Sequence, residues 1–219
     1  MKSIVLIHTV QSLAVSFGKQ LQTFLQEEVK IHNIWDDFLA TNPNEIGEFS
    51  LENRNRLFHI IKAAELTHAD IIVSTCSTLT PAIKIIRPFI KIPIIAIDDA
   101  ITKKAAKDGS KILVLATAES AAKATKEKIQ EDAYLINKNI ELQTIALTEA
   151  FQCLKNMDME KHDKIIKNYA ASIKGFDCIV LAQASMAHLE KNITDITNCS
   201  VLSSPILCMQ EIQTALQTI

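Results

Sequence analysis

Segments in the first half of this 219-residue chain match segments in the second half at a nearly constant separation. The run from Ile4 to Ser12 matches the run from Ile112 to Ser120 at an offset of 108 residues. The run from Asp70 to Thr78 matches the run from Asp177 to Ser185 at an offset of 107 residues. Self-similarity at one separation marks a duplicated structural unit. The chain is therefore predicted to be two copies of one unit, joined near residues 98–110.

Each copy alternates short apolar runs with longer segments of helical apolar spacing, which is the pattern of an α/β unit. The run Ile71-Ile72-Val73 has no polar interruption, as expected of a parallel strand covered by helices on both faces. We predict an α/β fold with two pseudo-symmetric lobes, each a parallel sheet flanked by helices, like flavodoxin-like halves. The first lobe is expected over residues 1–98, with the C terminus free to cross back to it, and the second over residues 99–219.

Eight strands are predicted, at residues 4–7, 31–35, 71–73, 94–97, 112–115, 142–147, 179–181 and 201–202. Helices are expected between them. Three local signals add detail to this pattern. The run Asn42-Pro43-Asn44 predicts a loop. Thr80 predicts a helix N-cap with Pro81 in the first helical position, and Gly175 predicts the C-terminal cap of a helix.

Cys76 lies in the predicted turn between a strand and a helix, within the run Thr75-Cys76-Ser77-Thr78. In an open α/β sheet, ligands bind at the carboxyl ends of the strands. A thiol there also faces free N–H groups and the positive end of a helix dipole, which favour the thiolate. The alternative is a buried cysteine that packs as a small hydrophobe. We assign that role to the remaining four cysteines, Cys153, Cys178, Cys199 and Cys208, and expect chemistry at Cys76.

Hydroxyl side chains follow the first strand of each copy in matching positions. They are Thr9 and Ser12 in the first copy and Thr117 and Ser120 in the second. If the two copies turn equivalent strand ends toward each other, these residues line a ligand cleft between the lobes, with Cys76 on one side. For any single hydroxyl the alternative is a helix N-cap.

Composition excludes several classes of function. The formal net charge is -2 without a cluster of Lys and Arg, which argues against nucleic acid as a partner. The four glycines form neither a Gly-x-Gly turn nor a Gly-x-Ser-x-Gly motif, so dinucleotide and P-loop sites and the common serine hydrolase are not indicated. Four histidines are scattered without the spacing of metal ligands: His32, His59, His68 and His162.

The chain shows no signal peptide and no apolar run long enough to span a membrane. Its five cysteines are an odd number, which fits a reducing compartment better than a disulfide framework. A cytoplasmic protein without membrane association is therefore expected.

The chain resembles the aspartate/glutamate/hydantoin racemase superfamily over essentially its whole length. The resemblance lies in the repeat, in Thr75-Cys76-Ser77-Thr78, in Leu115-Ala116-Thr117 and in the run from Ile179 to Met186. It implies a cofactor-independent enzyme in which two cysteines, one per lobe, remove and return the α-proton of a small carboxylate. This chain has Gln183 where the second cysteine belongs, and a carboxamide has no useful pKa for proton transfer.

The resemblance implies the following site residues. The catalytic positions are Cys76 and Gln183; the substrate-binding positions are Thr75, Ser77, Thr78, His8, Gln11, Ser12, Thr117, Ser120 and Ser185. No metal and no cofactor are expected. Two histidines, His8 and His188, are candidate replacement proton carriers, the alternative for each being a hydrogen-bonded structural histidine.

The resemblance thus implies an isomerase-class enzyme that acts at the α-carbon of a small carboxylate, such as an amino acid, through Cys76. One alternative is a binding protein that keeps the site and has lost turnover. Another is a one-cysteine decarboxylase or isomerase, although the decarboxylases of the superfamily carry their cysteine in the second lobe. The expected partner is the small carboxylate, and a second copy of the chain is left open.

Overall fold

The computed structural model describes all residues, Met1–Ile219, and their contacts divide the chain into two compact units. The first unit comprises Met1–Ile97 together with Cys208–Ile219, and the second comprises Asp98–Leu207. The C-terminal segment thus belongs to the first unit, whereas the second predicted lobe ran on to residue 219.

The first unit is built on four parallel strands in the order β2-β1-β3-β4. Its elements are β1 (Ser3–His8), α1 (Gln11–Leu25), β2 (Lys30–Trp35), α2 (Phe38–Ile46), α3 (Leu51–Glu65), β3 (Ile71–Ser74), α4 (Thr80–Ile86) and β4 (Ile94–Ala96).

The second unit has four parallel strands in the corresponding order, β6-β5-β7-β8. Its elements are α5 (Asp99–Asp108), β5 (Lys111–Ala116), α6 (Glu119–Leu135), β6 (Glu141–Ala146), α7 (Thr148–Lys155), α8 (Met159–Ala170), β7 (Cys178–Leu181), α9 (Glu190–Thr197) and β8 (Ser200–Ser203). The last helix, α10 (Ser204–Thr218), begins in this unit and continues into the first.

The repeat extends to the pairing register of the strands. In the first unit Ile4 of β1 pairs with Ile71 of β3, and in the second Ile112 of β5 pairs with Cys178 of β7. These pairs are related by the two offsets found in the sequence. The eight strands lie within one residue, at either end, of their predicted positions. The predicted α/β fold class is confirmed.

The central strands β1, β3, β5 and β7 are mostly apolar and buried because helices cover both faces of each sheet, whereas the edge strands β2 and β6 carry polar side chains. On one face of the first sheet, Val5, Ile7 and Ile72 pack with Leu57 and Ile61 of α3 in one buried cluster. Two such clusters lie in the second unit. Burial of each large aliphatic side chain contributes about 1.5–3 kcal/mol, so these clusters fix the strand ends that carry the polar residues.

The loop predicted at Asn42-Pro43-Asn44 is wrong, because α2 runs through this segment with Pro43 inside it. Proline removes one helical hydrogen bond. Tertiary burial outweighs this loss: Leu39 and Pro43 are buried, and the Asn53 amide of α3 donates to Asn42 Oδ1 at 2.9 Å.

Two predicted caps also differ from the structure. The helical chain after β3 begins at Ser77, in a short 3-10 turn that runs to Leu79, and Leu79, not Thr80, is the N-cap of α4. Helix α8 ends at Ala170, and Gly175 lies five residues beyond it in the turn before β7, with φ of +82°. Glycine is suited to that turn because it adopts positive φ without strain.

Candidate active site

Each sheet contains one pair of neighbouring strands from which the chain leaves in opposite directions. In the first sheet this pair is β1 and β3, and in the second it is β5 and β7. In open parallel sheets, ligands bind at the carboxyl ends of the strands at such a switch point. We call the residues at the ends of β1 and β3 the first site and those at the ends of β5 and β7 the second site.

His8 is the buried histidine of the first site. It ends β1 and is completely buried, with Nδ1 2.9 Å from Thr75 Oγ1 and Nε2 3.0 Å from Asn33 Oδ1 on β2. Burial lowers the pKa of His8 below its ordinary value of 6.5, while the bond to Asn33 acts in the opposite direction. The imidazole is therefore neutral near neutral pH.

The partners of the neutral imidazole fix its tautomer. Asn33 Oδ1 can only accept a hydrogen bond, so Nε2 carries the proton and Nδ1 is left as an acceptor. With this tautomer the Thr75 hydroxyl donates to Nδ1 at 2.9 Å, and the Ile7 carbonyl oxygen, 3.2 Å away, is a second acceptor for the same hydroxyl. An uncharged relay of three side chains thus fixes the residue directly before Cys76.

Thr9 follows His8 and contributes a polar atom without a partner. The residue is only 3% exposed, and its Oγ1 makes no hydrogen bond in the structure. A buried hydroxyl left unpaired costs free energy, so an orphan of this kind at a strand end indicates a place for a ligand or water.

Cys76 lies two residues beyond the end of β3 and is half-buried. Its backbone is extended, with φ of -128° and ψ of 116°, and the 3-10 turn starts at the next residue. The side chain of Cys76 packs against the apolar cluster of the first unit. The backbone carbonyl oxygen of Cys76 accepts a hydrogen bond from Leu79 N–H at 3.2 Å. The sulfur therefore sits partly accessible at the start of a helical turn.

Gln183 occupies the corresponding position in the second site. Its φ of -134° and ψ of 136° nearly reproduce the backbone of Cys76, and a 3-10 turn (Ala184–Leu189) again follows. The side-chain Oε1 accepts from Thr117 N–H at 2.5 Å and from the Thr117 hydroxyl at 3.0 Å. The carboxamide is thus held through its oxygen, and its NH₂ group makes no hydrogen bond in the structure.

The other predicted positions vary in exposure. Ser77 is buried, Thr78 and Ser185 are half-buried, and Gln11, Ser12 and Ser120 are exposed. Within the first site the structure brings His8 and Thr75 together, and within the second site it brings Thr117 and Gln183 together. A ligand position between the two units stays a prediction, as do the roles of the individual residues.

Sequence reasoning missed a side chain that contacts a predicted one. His188 Nε2 lies 2.9 Å from Asp163 Oδ2 of α8, and His162 Nδ1 lies 2.8 Å from Asp163 Oδ1. No spacing in the sequence connects residue 163 with residue 188, because the contact depends on how α8 packs. The adjacent pair His162-Asp163 is the only trace of it in the sequence.

No group of three or more His, Cys, Asp or Glu side chains is arranged to hold a metal ion. None of the helices combines the length and the apolar character that crossing a membrane requires.

A family model described as Asp/Glu/Hydantoin racemase matches residues 44–212, which is most of the chain. No protein of curated function matches the sequence.

Solved structures of racemases resemble the whole chain. A glutamate racemase isoform from Bacillus anthracis aligns with a TM-score of 0.76 and 16% identity, covering 99% of this chain and 82% of that one. A glutamate racemase from Francisella tularensis in complex with D-glutamate aligns with a TM-score of 0.72 and 15% identity, covering 99% and 81%. An allantoin racemase from Klebsiella pneumoniae aligns with a TM-score of 0.68 and 15% identity, covering 100% and 89%. At these identities the matches show a common fold.

Proposed function

This chain belongs to the Asp/Glu/hydantoin racemase family, and we propose that it is an enzyme acting at the α-carbon of a small carboxylate through Cys76, without a cofactor. The observation that carries this proposal is the position of the Cys76 thiol: half-buried, at the switch point of a parallel sheet, at the start of a helical turn. Thiolates are stabilised at helix N-termini, and ligands bind at switch points.

Cys76 acts as the acid or base of the reaction. Its thiolate takes the α-proton, and the electron pair of the C–H bond moves into the carboxylate to give an enediolate. The enediolate needs hydrogen-bond donors because negative charge builds up on its oxygens. The unpaired hydroxyl of Thr9, which lies in the same unit as Cys76, is a donor suited to that task.

The neutral relay from Asn33 through His8 to Thr75 supports the same chemistry. It holds the residue before Cys76 without placing a charge in the buried part of the first site. A buried charge beside the thiol would change its proton affinity by an amount that depends strongly on the local dielectric. We infer that the relay keeps Thr75 and Cys76 in position while leaving the carboxylate of the ligand as the main charge.

The substrate class follows from the family and from the neighbours. One structural neighbour is a glutamate racemase in complex with D-glutamate, and another is an allantoin racemase. We therefore propose an amino acid or a related acid or cyclic amide with an acidic α-C–H bond. Neither site contains a group of three or more His, Cys, Asp or Glu side chains arranged to hold a metal ion.

The test is exchange of the α-proton in D₂O, followed by proton NMR, with both enantiomers of aspartate, glutamate, alanine and allantoin as probes. The wild-type chain should exchange the α-proton of at least one probe, and Cys76→Ser should reduce that rate at least about a hundredfold, the scale of acid–base catalysis. The matched control is Cys199→Ser, which removes the other half-buried thiol. Equal exchange by wild type and Cys76→Ser, or none with any probe, would refute the enzyme function.

Gln183 favours a second candidate, a binding protein that senses or sequesters a carboxylate. Its carboxamide is held by Thr117 as a fixed hydrogen-bonding group and cannot act as an acid or base near neutral pH. A binding protein should be stabilised by the same probes, by about 2.7 kcal/mol at a hundredfold excess over Kd. That stabilisation should persist in Cys76→Ser, whereas α-proton exchange should be absent in the wild type.

A further inference from the structure

A groove lies between α6 and β6, which is an edge strand of the second sheet. It has a volume of about 350 Å³ and is lined by four residues of α6 and two of β6: Glu119, Ala122, Lys123, Lys126, Thr144 and Ala146. All six residues belong to the second unit. The groove is therefore complete without any contribution from the first unit.

The lining residues of β6 face α6. Side chains alternate between the two faces of a strand, so Leu142, Thr144 and Ala146 share one face. Leu142 packs against the buried cluster that contains Ala122 of α6, whereas Ile145 packs against a different cluster. The half-buried Thr144 therefore lies on the side of β6 that α6 covers, and its hydroxyl makes no hydrogen bond in the structure.

The lining residues of α6 give the groove an uneven charge. Glu119, Lys123 and Lys126 lie along one side of the helix, because residues three, four and seven apart share a face. Glu119 begins α6, and Lys126 lies seven residues later, which is about 10 Å along the helix axis. The groove is thus acidic where α6 begins and basic farther along the helix.

Neither lysine of the groove pairs with a carboxylate in the structure. The next lysine of the helix, Lys128, does have such a partner, with its Nζ 2.9 Å from Asp99 Oδ1. Lys123 is exposed and Lys126 is half-buried. Like charges at neighbouring positions of a helix repel each other. An anion between the two ammonium groups would therefore relieve a repulsion that no side chain of the groove neutralises.

The first unit contains the equivalent groove without this pair of charges. It lies between α1 and β2, and its lining includes Val15, Gly18 and a single lysine, Lys19. At the repeat offset of 108 residues, Val15 corresponds to Lys123 and Gly18 corresponds to Lys126. The duplicated fold therefore forms the groove without these two lysines, and only the second copy places two positive charges in it.

We propose that the groove between α6 and β6 binds a small phosphate, either inorganic phosphate or a phosphate monoester. A phosphate monoester carries about 1.5 to 2 negative charges near neutral pH, concentrated on one group. This matches the ammonium groups of Lys123 and Lys126 better than a single carboxylate does, and lysine is a common phosphate ligand in proteins. The Thr144 hydroxyl donates a third hydrogen bond to a phosphate oxygen. The site is independent of the proposed function.

The experiment is a titration of the whole chain near neutral pH and at constant ionic strength, followed by nitrogen-15 NMR of the backbone amides. The probes are inorganic phosphate, glycerol 3-phosphate and succinate. The two phosphates distinguish a free anion from an ester, and succinate carries two separate carboxylates. The amides of residues 122–126 and 144–146 should shift with a Kd of about 1 mM or tighter for at least one phosphate, and succinate should bind there at least about tenfold more weakly.

Substitutions identify the groups that hold the phosphate. Lys126→Gln should weaken binding at least about tenfold, because a charged hydrogen bond is lost. Lys126→Arg keeps the positive charge and should bind the phosphate, and Thr144→Val should weaken binding less than Lys126→Gln does. The matched control is Lys19→Gln, which removes the lysine of the first unit's groove and should leave binding unchanged. The amide spectrum of each variant also reports whether it is folded.

The outcomes decide the proposal without involving Cys76. Saturable shifts of the groove amides that are lost in Lys126→Gln and kept in Lys126→Arg would support it. It would be overturned if neither phosphate shifts the groove amides, if Lys126→Gln binds as tightly as the wild type, or if succinate binds the groove as tightly as both phosphates. Shifts confined to the first unit would also overturn it. None of these results changes the exchange test of the proposed function.

Discussion

The side-chain carbonyl oxygen of Gln183 accepts two hydrogen bonds from Thr117, one from the backbone N–H at 2.5 Å and one from the hydroxyl at 3.0 Å. This contact joins the ends of β5 and β7 at the switch point of the second sheet. In the first sheet, β1 and β3 are joined by His8 and Thr75, each one residue before the position that corresponds to Thr117 or Gln183. Each switch point therefore has a side-chain bond, but the two bonds do not join equivalent residues of the repeat.

Removing the acceptor of Gln183 should destabilise the second unit. Thr117 is completely buried, so Gln183→Leu would leave its N–H without a partner, at a cost of about 1–3 kcal/mol. Gln183→Glu keeps an acceptor at the same position and should cost less. Urea unfolding of both variants measures the difference. Equal stability of Gln183→Leu and the wild type would show that water replaces the bond without cost.

His8 should make the stability of the chain fall on the acid side of neutrality. Burial lowers its pKa below 6.5 in the folded state, so the unfolded chain binds a proton at a higher pH than the folded chain does. Between these two pKa values the unfolded state holds more protons, and stability is lost as pH falls, by at most about 1.4 kcal/mol per pH unit. The loss should begin near pH 6.5 and not at higher pH.

The check is urea unfolding near pH 7.5 and near pH 5.5 (both approximate) for the wild type, His8→Gln and His59→Gln. The difference in unfolding free energy between the two pH values should shrink in His8→Gln and persist in the exposed control His59→Gln. An unchanged difference in His8→Gln would mean that the buried imidazole titrates equally in both states.

The five cysteines should react with iodoacetamide in an order set by exposure and by thiolate content. Cys178 is buried, and burial raises its pKa from 9.0 to about 12, which lowers the thiolate fraction about a thousandfold. Cys199 is half-buried but donates its S–H to the Phe176 carbonyl oxygen at 3.1 Å. Cys76 should therefore be alkylated first in the folded chain, as peptide mass spectrometry would show. First labelling at Cys178 would contradict the burial of β7.

The repeat offsets were enough to predict two matching sheets because the same offsets relate the strands that pair in each sheet. The same offsets relate a bond that locks each strand start: Asp70 accepts from Ser3 N–H at 2.7 Å, and Asp177 accepts from Lys111 N–H at 3.1 Å. Contacts between side chains distant in sequence were not predictable. The bond from His8 to Asn33 requires β1 and β2 to be neighbours, and the bond from His188 to Asp163 requires the packing of α8. Neither arrangement leaves a spacing in the sequence.

The α2 helix is a case in which tertiary burial outweighs a strong local sequence preference. The signal of Asn42-Pro43-Asn44 is correct about local preference, since proline weakens a helix. The local signal does not include the burial of the Leu39 side chain or the hydrogen bond from Asn53 to Asn42. Both stabilise α2 only when α3 packs against it.

Two glycines should respond oppositely to alanine because their surroundings differ. A Cβ at Gly109 would lie 2.6 Å from Ile112 Cγ1 and 3.0 Å from both the Ala105 carbonyl oxygen and Cys178 Cβ. The backbone must shift to relieve these contacts, so Gly109→Ala should lower the unfolding free energy by about 1–3 kcal/mol. The close approach reflects where the chain enters β5, between α5 and β7.

Gly18 is the matched control, since it lies inside α1 with its nearest neighbours at ordinary distance. A Cβ there would meet Ile31 Cγ2 and Leu6 Cδ1 at 3.6 Å. Alanine favours a helix over glycine by about 0.5–1 kcal/mol, so Gly18→Ala should stabilise the chain by roughly that amount. Urea unfolding measures the predicted decrease in unfolding free energy for Gly109→Ala and the predicted increase for Gly18→Ala. Stabilisation by Gly109→Ala would show that α5 and β7 are farther apart than the structure places them, because only added space could accept the methyl group.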